Sequence, residues 1–350
     1  MDIYVMDEDF ETLDVIDYAS SVIWTKRYMA AGDFEITVPA CKQTVGLLQE
    51  NRFLYRHDDD AIMIIKKIQA QTDLENCDKL IISGPSVESV LGRRIIWEQT
   101  NLNGTVASCI TQLLNENAIN PGIASRKIDH LKIGSMCEKS SQLSLVKQIT
   151  GDPLDAAISG ICQTYSLGYR MTRSDKNLAF DIYSGADRSY AQMENPHVIF
   201  SEEFGNLLTS NYTKDSTNYK NTAMVAGEGE GKARKKAIVG DENAGWDRYE
   251  VFVDKRSLSS NNGEISDDEY TNQLTEAGNE QLAEYQITES FESNVDPAIN
   301  YTYGVDYFLG DIVQIETVYG MQIRARITEI IESEDENGYT CIPTFENVEV

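Results

Sequence analysis

The alternation of apolar and polar positions is sharpest over residues 20–38. Val22, Trp24 and Lys26 alternate with Ile23, Thr25 and Arg27, so one face carries the tryptophan and the other the basic group. Gly32-Asp33 is a turn signal, and Phe34, Ile36 and Val38 then recur at period two. That period marks a half-buried strand. The stretch therefore predicts two facing strands with Trp24 and Phe34 in a core. Pro39 closes the run, because proline has no N–H to give to a sheet ladder. Around this pair, residues 1–98 read as mostly β. Residues 3–5 and 13–16 flank an acidic turn at Asp7-Glu8-Asp9, residues 52–57 and 61–71 pair about Asp58-Asp59-Asp60, and 79–83 is a further strand. Short helices are expected at 42–49 and from Pro85 to Leu91. Many short strands at even spacing suggest a small barrel, closed so that few edges remain.

Residues 99–195 change to a helical period. Val106, Cys109, Ile110, Leu113 and Leu114 fall at i, i+3, i+4, i+7 and i+8, one face of a helix, and Asn120-Pro121-Gly122 ends the segment. A second helix has Asp152 as N-cap, Pro153 as its first residue and Asp155 in its first turn. Its apolar face is Leu154, Ala157, Ile158 and Ile161. Residues 169–172 and 178–183 alternate about Ser174-Asp175-Lys176-Asn177, a hairpin that completes a small α+β unit. Residues 196–300 mix strands at 221–226 and 248–253 with a charged loop and one helix. Ser266-Asp267-Asp268-Glu269 has the form of a capping box. The helix that follows carries Tyr270, Leu274, Ala277, Leu282 and Tyr285 and is expected to clamp the outer face of a sheet. Residues 301–350 return to strands, with Glu336-Asn337-Gly338 a two-residue hairpin signal. The expected fold class is α+β and β-rich, in four stretches: a first β-barrel domain at 1–98, an α+β domain at 99–195, a mixed strand, loop and helix domain at 196–300, and strands at 301–350.

Composition narrows the function. The chain has 350 residues, 41% of them apolar, which is enough to bury several cores. It holds no run of about eighteen apolar residues, so no membrane span is expected. Its acidic, strand-like start argues against a secretory signal, and synthesis in a cytoplasm is expected. The formal net charge of −27 opposes nonspecific binding to nucleic acid, which needs clustered Lys and Arg. It suits ordinary solubility, or an acidic ring through which DNA slides without sticking. The six cysteines, Cys41, Cys77, Cys109, Cys137, Cys162 and Cys341, form no CxxC pair and read as reduced, buried thiols.

The tempting chemistry fails in detail. Gly227-Glu-Gly-Glu-Gly231-Lys232 follows a predicted strand, but a phosphate loop needs Gly, four residues and then Gly-Lys-Ser/Thr. Two glutamates here would face the phosphates. A loop between strands is expected, with the basic run 232–236 as a solvated face or a partner contact. Asp241–Asp247 alternates oxygen-bearing residues without the glycine and final glutamate of a calcium loop, so a turn is expected. His57, His130 and His197 are far apart and lie in no HExxH. No GxSxG exists. No catalytic, cofactor-binding or metal-ligating residue is assigned, no cofactor is expected, and the chain is expected not to be an enzyme.

One set of short motifs is more specific. Trp24…Arg27-Tyr28…Gly32-Asp33-Phe34-Glu35 resembles the opening of the tail-hub, or baseplate-hub, proteins of long-tailed bacteriophages. The strand Leu-Gly-Asp-Ile-Val at 309–313 and Arg-Ile-Thr-Glu-Ile at 326–330 resemble the end of the same family. The resemblance covers nearly the whole chain. It implies that 301–350 completes a second β-barrel beside the first, and that the chain assembles as a homotrimer. Six barrels would then ring a channel for DNA in the virion tail tip, joining the tail tube to the tip. The implied partners are distal tail or tube proteins above, spike or fibre proteins below, and the tape-measure protein. Some such hubs carry a C-terminal lytic domain, and this sequence reaches only the second barrel, at Val350. The alternatives are a carbohydrate- or receptor-binding tip protein, favoured by the tyrosine-rich stretches 212–219 and 301–307, and less so a cell-wall hydrolase. Arg93, Arg94 and Lys232–Lys236 are expected to face other tail proteins or to lie outside the channel.

Overall fold

The computed structural model describes residues 1–350 except 73–77, 175, 261–263, 296–298, 318–319 and 349–350, together with the side chains of 208–210 and 289–295. Cys77 and the Asp175 of the expected turn lie outside the described residues. The N-terminal strands are β1 (Ile3–Met6), β2 (Thr12–Ile16), β3 (Ser21–Arg27) and β4 (Asp33–Pro39), followed by helix α1 (Lys42–Leu47). Then come β5 (Phe53–Tyr55), β6 (Ile62–Ile64), β7 (Lys67–Gln71) and β8 (Lys79–Pro85). One sheet runs β2-β1-β5-β6, and β3-β4-β8-β7 is part of a larger one. Both give side chains to one core, which includes Ile3, Val5, Trp24, Phe34, Leu54 and Ile82.

The expected strand 61–71 is two strands. Residues 62–64 are all buried, whereas 67–71 are all exposed. Between them Ile65 N–H donates to Arg52 O and Lys66 N–H to Ser83 O, so the chain changes sheets there. Gly84 permits the crossing, since a Cβ at that residue would lie 2.0 Å from Ile64 O. The two sheets also touch at the Met63–Ser86 bridge. The two sheets thus face one core and join along one corner.

The middle of the chain holds β9 (Thr100–Thr105), helix α2 (Val106–Leu114), β10 (Leu131–Met136), α3 (Glu138–Gln142), β11 (Ser144–Ile149), α4 (Leu154–Thr164), β12 (Gly168–Ser174) and β13 (Asn177–Tyr183). The apolar faces expected of α2 and α4 are buried in a common core with Met6, Phe10, Ile62 and Ile64 of the first strands. Thr105 Oγ1 accepts from Ser108 N–H and caps α2. The start of α4 differs from expectation. Pro153 occupies the cap position with extended ψ of 139°, no side chain caps the helix, and Asp152 lies outside it. Backbone pairing explains this: Ile96 N–H donates to Asp152 O and Leu154 N–H to Arg94 O, which hold residues 152–153 as an edge against 94–96.

The last part contains β14 (Ile199–Ser201), β15 (Leu207–Asp215), β16 (Thr222–Ala226), β17 (Lys236–Val239), β18 (Glu250–Asp254), α5 (Asp267–Glu284), β19 (Thr288–Val295), β20 (Ile312–Glu316), β21 (Gln322–Asp335) and β22 (Gly338–Asn347). Ser266 Oγ accepts from Glu269 N–H at the start of α5. Tyr270, Leu274, Ala277 and Leu282 pack onto the three-stranded sheet β17-β16-β18. Gly278 lets the helix approach closely, since a Cβ there would meet Val239 and Val225 at 2.6 and 2.9 Å. The other strands join the ten-stranded sheet, whose main path is β15-β19-β22-β21-β3-β4-β8-β7. Strand β21 is antiparallel to β3, with Glu332 opposite Trp24. The fold is a β-rich α+β architecture in which the two ends of the chain share one sheet. Among the described residues no helix is long and apolar enough to cross a membrane.

Candidate functional site

The β3–β21 junction gathers the three motifs of the sequence. Tyr28 follows β3 and is fully buried. Gly310 has φ of +94°, and a Cβ there would lie 2.3 Å from the Tyr28 ring. The Leu-Gly-Asp stretch therefore needs glycine both for its backbone and for this contact. Arg326 lies over the Tyr28 ring at 5.2 Å and donates to Gly310 O at 2.7 Å. Asp311 accepts from Ala186 and Phe308 N–H and pairs with Arg188 at 2.7 Å. Arg27 pairs with Asp33 and with Glu329, each at 2.6 Å. Residues 300 positions apart are thus locked by backbone ladder, ring stacking and charge.

On the Trp24 face of β3 lies a buried ionic network. Lys26 pairs with Asp59 and sits 3.0 Å from Glu332 Oε2. The Glu332 contact is an ion pair without hydrogen-bond alignment. Arg56 binds Asp58 at 2.7 Å and Glu332 Oε1 at 3.2 Å, and Tyr339 OH donates to the same Oε1 at 2.9 Å. Burial alone lowers the Lys26 pKa, but Asp59, Tyr303 and Glu332 offset it and hold the ammonium charged. Burial raises the Glu332 carboxyl, but Lys26 and then Arg56 outweigh it and hold the pKa below the usual range. The acidic triplet 58–60 supplies these partners; its turn reading alone did not assign them that role.

Beside the network opens a cleft of about 520 Å³ where the N-terminal strands, the middle unit and the C-terminal loops meet. Lys26, Asp59, Glu88, Arg170, Tyr183 and Tyr303 are among its walls. Its charges are largely satisfied internally: Arg170 reaches Asp60 and stacks on Tyr183, and Lys26 lies 4.5 Å from the Tyr303 ring. Glu88 is buried and accepts from Met171 N–H at 2.7 Å, and burial pushes its pKa up. An acid with a raised folded pKa is at its best below the unfolded value and loses stability as pH rises through the folded one. Glu88→Gln keeps an acceptor and removes the charge, so it should stabilise the chain by on the order of 1 kcal/mol near neutral pH. The gain should fade as pH falls toward about 4.3, the unperturbed glutamate value. Urea midpoints at pH 8 and pH 4.5 check this, and an E88Q chain no more stable at pH 8 would refute it.

The other residues singled out by sequence do not converge. In the glycine-rich loop Glu228 N–H donates to Tyr270 OH, the Glu228 carboxylate accepts from Ser260 N–H, and Lys235 pairs with Asp267 at 2.6 Å. These contacts tie the loop to α5. Asp241 pairs with Arg248 and Asn243 caps backbone carbonyls, as a turn does. His57 packs on Tyr4, His130 on Phe10 and His197 on Tyr190. Among the described residues no group of three or more His, Cys, Asp or Glu could hold a metal ion. Cys109, Cys162 and Cys341 are buried and Cys41 is exposed, all as free thiols. Tyr303 and Tyr307 turn inward around Phe200, so residues 301–307 do not present the exposed aromatic cluster a sugar platform needs.

A model of the siphovirus ReqiPepy6 Gp37-like protein family matches residues 2–345. The chain belongs to that family. Its fold is similar to a prophage MuSo2 43 kDa tail protein of Shewanella oneidensis, with a TM-score of 0.63 at 12% identity over 99% of this chain and 98% of that one. It is also similar to the prophage tail protein gp18 of Listeria monocytogenes EGD-e and to a tail protein of Neisseria meningitidis MC58. Each of these has a TM-score of 0.59 at 12% identity, over 99% of this chain and 95% of the other. The comparison with curated proteins gave no match. The resemblance to phage tail proteins drawn from residues 24–35 and 309–330 is borne out, as is the β-rich α+β class.

Proposed function

We propose that this Gp37-like chain is a non-catalytic structural hub of a phage tail tip. It assembles as a homotrimeric ring that joins the tail tube to the tip and leaves a channel for DNA. The observation that carries the reading is the single sheet running through both terminal β regions. Two β regions fixed side by side in each copy give six around a threefold axis, which suits a sixfold tube above and a threefold tip below. The main path of the sheet ends on β7 at one side and β15 at the other. These are different strands, so contact between copies through them is head to tail and can close a ring. Distal tail or tube proteins, spike or fibre proteins and the tape-measure protein are the neighbours in this arrangement. The negative chain provides carboxylates for a lumen that DNA crosses without binding. Light scattering of the purified chain should give three times its mass of 39.3 kDa, and micrographs of tail tips should show three copies around an open channel. A monomer in the particle, or a wall dominated by Lys and Arg, would sink the proposal.

A further inference from the structure

The three-stranded sheet β17-β16-β18 is packed by a helix on one face, while on the other Arg234 lies 5.8 Å over the Phe252 ring and much of the apolar surface stays exposed. Helix α5 closes its inner side, and α5 in turn leans on the middle unit through Lys147–Glu280 and Tyr165–Glu276. The outer side carries a row of apolar side chains in register. Ile238 on β17 stands opposite Met224 on the central strand, and Met224 stands opposite Phe252 on β18. They are exposed by 52%, 39% and 54%, while their strand neighbours Ala223, Val225, Ala237 and Val253 are buried on the inner side. Central strands with one bare apolar face mark an interaction surface.

Charge decides what covers it. Residues 220–256 contain eight Lys or Arg and seven Asp or Glu, so the whole negative charge of the chain lies elsewhere. Four of the seven carboxylates here are already engaged: Asp254 by Arg234 and Arg256, Glu250 and Asp241 by Arg248, and Glu228 by Lys235. Lys236 alternates onto the outer face with Ile238, and neither it nor Lys232 has an ion-pair partner among the described residues. An acidic surface can therefore approach this face without the repulsion it meets over the remainder of the chain.

We infer that the outer face of β17-β16-β18 docks a second copy of this chain, by its acidic surface, head to tail. A two-fold contact of the face with itself would set Lys236 and Lys232 against the same cations of the partner, which disfavours an isologous dimer. A head-to-tail contact pairs those lysines with carboxylates and buries the apolar row. The inference rests on the ring reading above and adds to the β7 and β15 edges a further surface through which neighbouring copies meet.

The test compares the full chain with Met224→Glu and Phe252→Glu by sedimentation velocity over a hundredfold range of concentration. The control is Met193→Glu, at a residue that is 98% exposed and remote in sequence from the row. The two row variants should weaken self-association at least tenfold, the control should not, and rising salt should weaken the unsubstituted chain by screening the lysines. Hydroxyl-radical labelling of the unsubstituted chain gives a readout that needs no variant to fold. Met224 and Phe252 should be protected in the assembled fraction relative to the dilute monomer. A chain that assembles with those residues equally labelled, and whose row variants assemble normally, overturns this inference and leaves the ring standing. A chain that stays monomeric throughout overturns both.

Discussion

Replacing Trp24 with alanine should destabilise the N-terminal core by about 3–5 kcal/mol, the usual cost of emptying a buried aromatic site. Trp24 is fully buried in the core shared by the two N-terminal sheets. It stands opposite Phe34 of β4 on one side and opposite Glu332 of β21 on the other. The Phe34 ring centroid is 6.1 Å away and the Arg56 guanidinium lies 5.9 Å over the indole. Truncation therefore removes packing from both ends of the chain and uncovers a buried cation. The indole N–H is buried without a partner, which already costs the native state something and trims the net loss. Urea unfolding followed by circular dichroism measures the change. A shift within about 0.5 kcal/mol is what exposed positions show and would remove Trp24 from the core.

Local order was legible where period and punctuation agree. The β3–β4 pair follows from alternation around Gly32-Asp33, and Gly32 has a steric reason beyond the turn, since a Cβ there would lie 2.1 Å from Thr25 O. The buried face of α2 follows from its spacing alone. Strand β9 did not, because Thr-Asn-Leu-Asn-Gly-Thr offers one apolar residue and owes its form to pairing with β11. Strand β7 lies inside the expected strand 61–71, but the break that separates it from β6 was not legible, because it depends on the change of sheet at residues 65–66. The β3–β21 ladder was also hidden: periodicity tells which face of a strand is buried and says nothing of the strand 300 residues away that lies beside it. The ionic network depends on that ladder. Its one local signal was that Lys26 shares the parity of Trp24, which puts an ammonium on the buried side and demands a carboxylate from somewhere.

Glu332 is the carboxylate that links both cations of that network, so its removal should be the most damaging polar change. Glu332→Ala leaves Lys26 with Asp59 and Arg56 with Asp58, and frees the Tyr339 hydroxyl. Breaking a buried pair from one side costs about 3–5 kcal/mol; the retained partners place this case near about 3 kcal/mol. Glu332→Gln keeps the shape and an acceptor for Arg56 and Tyr339, so it should fall between the alanine variant and the native chain. The pH dependence separates charge from packing. The folded pKa of Glu332 is depressed, so its contribution is fully present above the unfolded value of about 4.3 and disappears as pH falls through the folded value. The difference between the native chain and E332A should thus be largest near neutral pH and shrink in acid, as the E88Q difference does, but with the opposite sign: a loss where E88Q gives a gain. If the E332A loss were the same at pH 7 and at pH 3, Glu332 would be acting through packing, and the charge that joins the two ends of the chain would be that of pairs such as Arg27–Glu329 rather than of this network.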